Sequence, residues 1–395
     1  MKKIIKVISL VINSILHPSH VSIIFRDLSK ILPTPLPDEV HLNAAINWLC
    51  KSQDAAKLGG CAGVYTFEKG WTGPYPETTG YIIPTFIQYA ELTGKTEYVD
   101  RAKRMGDWEI SIQLSSGAVR GGVGINEYPI VFNTGQVMLG WVALYKKTQA
   151  KKYLDAAVKA SEWLVSNMDD DGKWSKNTFN NIPHAYNVRV TWALLKVAAL
   201  TGNNTFYAAA IKNINWVLSQ YKENAWFGYM SFSLDKQPLT HTIAYTLRGL
   251  LECSFLVEGA LKNEILEKVT KASLQIKNYY LLNEDAAISK SRGFLPGTFN
   301  NKWKSGDGYS CLTGNVQMAI IWMKLYKING DKSFFDVAVK NIEQVKSTQN
   351  LNSHNSGING GIAGSYPIWG KYTNFGYPNW AAKFFADAIM LKNSI

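Results

Sequence analysis

Apolar and polar positions along this chain form two kinds of helical pattern that alternate. Stretches at 41–51, 96–113, 151–167, 204–220, 261–281 and 332–348 carry apolar residues at three-four spacing with Lys, Asp, Asn and Glu between them, as in Tyr153, Ala156, Ala157, Ala160, Trp163 and Leu164. That one-sided period predicts helices with one face on a core and the other in solvent. The stretches at 77–93, 133–148, 184–201, 240–258, 311–328 and 377–392 are apolar nearly all round, as in the run from Trp192 to Leu200. Helices of that composition are buried on most sides. Gly or Thr-Gly turns close the pairs, most clearly at Leu92-Thr93-Gly94, Leu200-Thr201-Gly202 and Asn329-Gly330-Asp331, more loosely at Gln149-Ala150 and Glu258-Gly259. The unit recurs roughly every 55 residues. Two helices fill only part of it, so a loop of about 15 to 25 residues precedes each inner helix, and long loops that recur on one face are commonly functional.

Six outer and six inner helices predict an all-α fold, a closed ring of six helical hairpins over 41–395. An open superhelix would leave apolar ends that need polar capping units, and neither end has one. Ahead of the ring, Pro33, Pro35 and Pro37 make 33–40 a stiff spacer, and 1–32 form a basic, amphipathic arm. Its start (MKKIIKVISLVINSIL) has the first two parts of a secretory signal, but Lys6 and Asn13 interrupt the apolar run and no small-residue cleavage site follows. The run is too short to span a bilayer. The arm reads as lying on an anionic membrane surface; a helical arm packed on the domain and an atypical export signal are the alternatives.

A net charge of +12 implies an anionic partner. Nucleic acid is not expected, because the basic residues are scattered and no basic run or aromatic RNA-binding signature occurs. Cys50, Cys61, Cys253 and Cys311 have no C-x-x-C spacing and read as reduced thiols, which favours the cytoplasm, with the arm peripheral on the inner membrane. No metal site is expected, since neither His-x-x-x-His nor a His with two nearby carboxylates occurs, and no cofactor is expected.

The layout resembles the (α/α)6 toroid shared by six-hairpin glycosidases, several polysaccharide lyases and uronyl epimerases. The blocks Leu239-Thr240-His241-Thr242-Ile243-Ala244-Tyr245, Cys311-Leu312-Thr313-Gly314-Asn315-Val316-Gln317 and Tyr377-Pro378-Asn379-Trp380-Ala381 resemble those of proteins encoded with bacterial surface-polysaccharide genes. The resemblance implies a funnel, built by the loops before the inner helices, that binds sugar chains. Terpene cyclases and prenyltransferases also use a ring of helix pairs, but the chain has no spaced Asp-x-Asp-Asp or Asp-Asp-x-x-Asp.

The first turns of the inner helices are unusually polar. Capping accounts for about one residue in each, which leaves His, Tyr and Arg to explain. His184, Tyr186, Asn187 and Arg189 are the densest group, and His241 with Tyr245 is a second. His as base, Tyr as acid and Asn or Arg as a carboxylate clamp suit proton abstraction beside a uronate carboxyl. The expected activity is therefore lyase or epimerase chemistry on an anionic oligosaccharide or polysaccharide. His184, Tyr186, His241 and Tyr245 are its candidate catalytic residues. Asn187, Arg189, Asn133, Gln136, Asn315, Gln317, Tyr377 and Asn379, with Trp71, Trp174, Trp303 and Trp369 as stacking platforms, are its candidate binding residues. Two other readings stay open. One is a glycoside hydrolase, whose pair of carboxyls would be Glu77 and Asp307, and the other is a non-catalytic glycan-binding scaffold.

Overall fold

The computed structural model describes residues 17–123, 126–285 and 289–395. Among them the chain forms thirteen α-helices: α1 (Pro18–Ser29), α2 (Asp38–Ala56), α3 (Pro76–Thr93), α4 (Glu97–Ser111), α5 (Val131–Thr148), α6 (Lys151–Ser166), α7 (Val188–Thr201), α8 (Asn204–Ser219), α9 (Thr240–Cys253), α10 (Gly259–Leu282), α11 (Leu312–Asn329), α12 (Lys332–Thr348) and α13 (Asn379–Lys392). The expected turns stop the helices through their backbone. Gly94, Gly202 and Gly330 follow α3, α7 and α11 in the left-handed conformation, and each N–H returns to a carbonyl of the last turn. Asn203 and Asp331 then start the next helices by accepting from backbone amides.

The odd-numbered helices from α3 to α13 are the inner layer. Each packs on the next, and α13 returns to α3, so the ring is closed. The (α/α)6 toroid implied by the sequence is the fold. The inner helices bury residues on nearly all sides, with Trp141 and Trp322 fully enclosed, whereas outer helices such as α4 and α6 bury one stripe. The tightest inner crossing has no room for side chains. A Cβ on Gly80 would lie 2.4 Å from the Val137 Cα, and one on Gly140 would lie 2.3 Å from the Gly80 carbonyl oxygen.

Short strands tie the loops together at the end of the ring where the inner helices begin. β1 (Val64–Thr66) pairs with β2 (Gly70–Trp71) and, across the closure, with β5 (Gly376–Pro378). β3 (Ser310–Cys311) pairs with β4 (Ser365–Tyr366). The first and last mouth loops are thereby held in register.

The first sixteen residues of the arm lie outside the described residues. The next stretch, α1, packs on the mouth loops. His20 stacks on Phe67 with centroids 4.0 Å apart, Ile23 is buried, and the Asp27 carboxylate accepts the Ile368 N–H at 2.7 Å. Arg26 donates to Asp27 and to the Thr348 carbonyl. Burial raises the Asp27 pKa despite the opposing Arg26 charge. The opposite side of the arm leaves Phe25, Leu28 and Ile31 exposed. Among the described residues no helix is long and apolar enough to cross a membrane.

Candidate active site

The N-terminal ends of five inner helices, all but α11, converge on a cavity of about 330 Å³. Glu77 enters it from the first turn of α3, directly after Pro76. Phe132 and Asn133 come from the first turn of α5, Tyr186 from a 3-10 turn (Ala185–Asn187) leading into α7, His241 and Tyr245 from α9, and Trp380 from α13. The loops add Tyr75, Tyr128, Phe179, Phe232 and Tyr372.

Ring contacts run almost continuously around the wall. Tyr75 packs edge-on to Trp380, whose indole N–H donates to the Tyr372 hydroxyl at 2.6 Å. Tyr372 meets His241, His241 meets Tyr245, and Tyr245 meets Phe132, with centroids 5.4, 4.2 and 5.1 Å apart. Phe132, Tyr186, Phe232 and Phe179 continue the series. An apolar cavity with a few convergent polar groups is the usual form of a small-molecule site.

Glu77 is the one carboxylate among the described lining residues. The Tyr75 hydroxyl donates to its Oε2 at 2.5 Å. Burial pushes the carboxyl up to about 7, against the smaller opposing effects of that hydrogen bond and of the Arg189 charge. The helix N-terminus also favours the carboxylate, but by only about 0.3–1 kcal/mol. Burial therefore wins, and Glu77 is poised to give and take a proton near neutral pH. Glu109, whose pKa burial also raises strongly, is fully enclosed on the outer helix α4 and does not line the cavity.

His241 has the opposite character. Burial, helped by Arg189, pushes its pKa down to about 3, so its imidazole is neutral. The Gln317 side-chain nitrogen lies 2.6 Å from Nδ1; with that nitrogen as donor, the ring proton sits on Nε2. Burial raises the Tyr245 pKa, and that hydroxyl stays protonated too. The buried Arg189 guanidinium lies 4.7 Å from the Tyr245 ring centroid and donates from Nε to Gln136 at 3.0 Å. It does not line the cavity, yet its charge reaches both Glu77 and His241.

Of the residues expected from sequence, Glu77, Asn133, Tyr186, His241 and Tyr245 come together here. Gln317 and Gln136 support them, through His241 and Arg189. His184 stands behind the wall. It precedes the 3-10 turn in extended conformation, its Nδ1 lies 2.9 Å from the Ser231 carbonyl, and its Nε2 lies 2.8 Å from the Phe179 carbonyl. With both nitrogens so placed, no lone pair faces a substrate, and the residue fixes the loops that carry Phe179 and Phe232. Burial lowers the His184 pKa, so the neutral ring has one N–H to donate. His184→Ala is therefore expected to cost about 1–3 kcal/mol of stability by stranding the carbonyl that N–H satisfies, while the pH at which activity turns on stays put; urea unfolding and a pH–rate profile check this.

The other expected residues are structural in their contacts. Asn315 bonds to Leu295, Ser310, Cys311 and Asn341. Asn379 donates to Ala62 and Thr78, and Tyr377 is buried in β5. Asn187 is buried with neither side-chain polar atom hydrogen-bonded. Asp307 accepts the N–H and hydroxyl of Thr298, each at 2.7 Å, and does not line the cavity with Glu77. The four tryptophans are absent from the lining. Trp174 and Trp303 anchor loops through the Leu164 and Asn224 carbonyls, Trp71 packs on Trp48, and Trp369 lies near Arg292. Sequence reasoning missed Phe132, Phe179 and Phe232, which carry no polar mark to set them apart from core residues.

No protein-family model and no curated protein matches the chain. Solved structures do match in fold. A heparin-specific unsaturated glucuronyl hydrolase aligns over 91% of this chain and 98% of its own, with a TM-score of 0.70 and 14% identity. A sugar epimerase from a ruminal bacterium aligns over 89% and 97%, with a TM-score of 0.67 and 14% identity. The cellobiose 2-epimerase of Bacillus thermoamylovorans aligns over 94% and 98%, with a TM-score of 0.61 and 12% identity. These proteins belong to the six-hairpin (α/α)6 superfamily, and this chain has their fold.

Proposed function

We propose that this six-hairpin toroid is a carbohydrate-active enzyme that moves a proton at a sugar carbon, with Glu77 as the group that takes it. One observation carries the reading: the one carboxyl among the described lining residues, with a pKa near 7, shares an aromatic-walled cavity with a neutral imidazole. The similar structures, two of them sugar epimerases and one a hydrolase of unsaturated glucuronyl groups, support a sugar as the substrate.

The ionised Glu77 removes a proton from the carbon beside a uronate carboxyl. The negative charge that develops on the carboxyl oxygens meets the Nε2–H of His241 and the Tyr245 hydroxyl. A neutral imidazole suits that task, because it donates a hydrogen bond without giving up its proton. Arg189 supports the developing charge from behind Tyr245. In elimination the neighbouring C–O bond breaks, and the protonated Glu77 returns its proton to the departing oxygen. In epimerisation a second hydroxyl of the lining, for which Tyr186 is the candidate, protonates the other face while Glu77 keeps the proton it took. Glycoside hydrolysis through Glu77 and Asp307 is less well supported, since it needs both carboxyls at one bond and Asp307 is engaged with Thr298 outside the cavity.

Product analysis on a panel of uronate-containing glycans tests this. Elimination gives a product absorbing in the near-ultraviolet, and epimerisation gives an inverted uronate without change of mass. New reducing ends with neither change would make the hydrolase reading the better one.

We also propose that the arm contacts an anionic membrane through Phe25, Leu28 and Ile31, which point away from the ring. Burying such side chains is worth about 1.5–3 kcal/mol each. Replacing all three by Ser should lower flotation of the full chain with anionic vesicles by at least about tenfold; unchanged flotation would remove the arm's role.

A further inference from the structure

A second recess, of about 350 Å³, lies on the other side of the loop that carries Phe232. Phe232 lines the cavity, whereas its neighbours Ser231 and Ser233 line the recess, so one thin loop divides the two. That divider is held at several points. The Ser231 carbonyl is within 2.9 Å of His184 Nδ1, the Phe232 carbonyl accepts from Asn180 at 3.0 Å, and the Tyr229 carbonyl accepts the Ala185 N–H at 2.9 Å. Across the recess, Phe299 N–H donates to the Pro238 carbonyl, and Asn224 ties the Asn301 segment through its side chain. The shape is therefore built into the fold.

Its chemistry is that of sugar recognition. Tyr229 is 42% exposed and held in the left-handed region at φ 57, a conformation unfavourable for a residue with a side chain. Together with the half-buried Trp226, which packs edge-on to Trp303, it offers ring faces suited to the apolar face of a pyranose. The Asn300 oxygen accepts the Lys302 and Lys304 backbone N–H groups, which leaves its NH2 to donate to a hydroxyl oxygen. Gln237, 3.1 Å from a Thr298 hydroxyl whose proton goes to Asp307, adds a second amide to the lining. One acid, Asp235, and one base, Lys236, balance each other in the lining.

We infer that this recess is a second sugar subsite that takes a neutral pyranose linked to the unit in the cavity, so that the substrate is an oligosaccharide bridging the Phe232 loop. The inference rests on the proposed sugar chemistry of the cavity. It also gives His184 a positioning role, since the divider it holds forms a wall of both sites.

An array of neutral and uronate-containing oligosaccharides, one to six rings long, tests this with Glu77→Gln protein, which binds without turnover. Ligands of two or more rings should bind at least about tenfold more tightly than their single-ring counterparts. In Tyr229→Ala and in Gln237→Ala, each made on the Glu77→Gln background, that length advantage should shrink to about twofold or less. An advantage that keeps its full size in both variants overturns the subsite and leaves the cavity reading intact. Absence of binding to every glycan overturns the cavity reading and the subsite with it.

Discussion

Glu77→Gln is expected to lower turnover on the order of 10³-fold, within the range for removal of a general acid–base group, and at the same time to make the protein more stable above neutral pH. The two effects share one cause. Unfolded, this carboxyl titrates near 4.5; folded, burial holds it at about 7. Between those pH values the folded chain keeps a proton that the unfolded chain has lost, so stability falls as pH rises through the window and levels off above it. At about 1.4 kcal/mol per pH unit, the cost is roughly 3 kcal/mol. Gln keeps a partner for the Tyr75 hydroxyl and carries no charge, so the variant should gain about that much at pH 8 and almost nothing at pH 4. Urea unfolding at the two pH values checks it. Equal stability of the two proteins at pH 8 would show that the carboxyl is solvated like an ordinary glutamate.

Gly80→Ala is expected to destabilise the fold by about 3 kcal/mol. Alanine is the better helix former by about 1 kcal/mol, so on propensity alone the change would help. Packing decides the sign, because the new methyl would lie 2.4 Å from Val137 Cα and 2.9 Å from Val137 N, atoms that cannot move without shifting α5. Glu77 is one turn away on the same helix, and Phe132 and Asn133 open the helix that would be displaced. The surviving folded fraction should therefore also lose activity. Gly306→Ala, where nothing lies within 4 Å and the backbone is not left-handed, is the matched control and should change stability by less than about 0.5 kcal/mol. Similar urea midpoints for the two variants would mean that the inner helices do not meet as closely as described.

The ring was legible because its causes are local. One-faced and all-round apolar periods separate outer from inner helices, and the Thr-Gly turns set the repeat. The polar first turns lie at one end of the ring, where the cavity opens. The choice among them was harder, because it depends on what other segments place nearby. His184 was attractive for its spacing to Asn187 and Arg189, which assumes a helix from 184. The chain instead makes a 3-10 turn at Ala185–Asn187 and begins its α-helix at Val188, so the assumed stripes do not exist. His184 then meets two loop carbonyls from far along the chain or across a turn. Glu77 could be named from sequence only as one acid of a pair. Its raised pKa comes from burial in the cavity wall, where Tyr75 of the first mouth loop packs against Trp380 and Tyr372 from the last hairpin. Trp174 and Trp303 illustrate the converse: an aromatic in a mouth loop reads as a platform until its indole N–H is seen pinning that loop.

The central claim is that Glu77 takes a proton from a sugar carbon. The most direct measurement is the rate of deuterium incorporation into uronate-containing glycans in heavy water, followed by mass spectrometry across pH for the wild type, Glu77→Gln and His184→Ala. An epimerising wild type should place deuterium at the carbon beside the carboxyl, and an eliminating one should form the product absorbing in the near-ultraviolet instead, in either case with a rate that rises through a pH near 7 as Glu77 ionises. His184→Ala should retain that profile at a reduced rate, and Glu77→Gln should show neither signal above background. An undiminished signal in Glu77→Gln, or its loss in His184→Ala alone, would contradict the account.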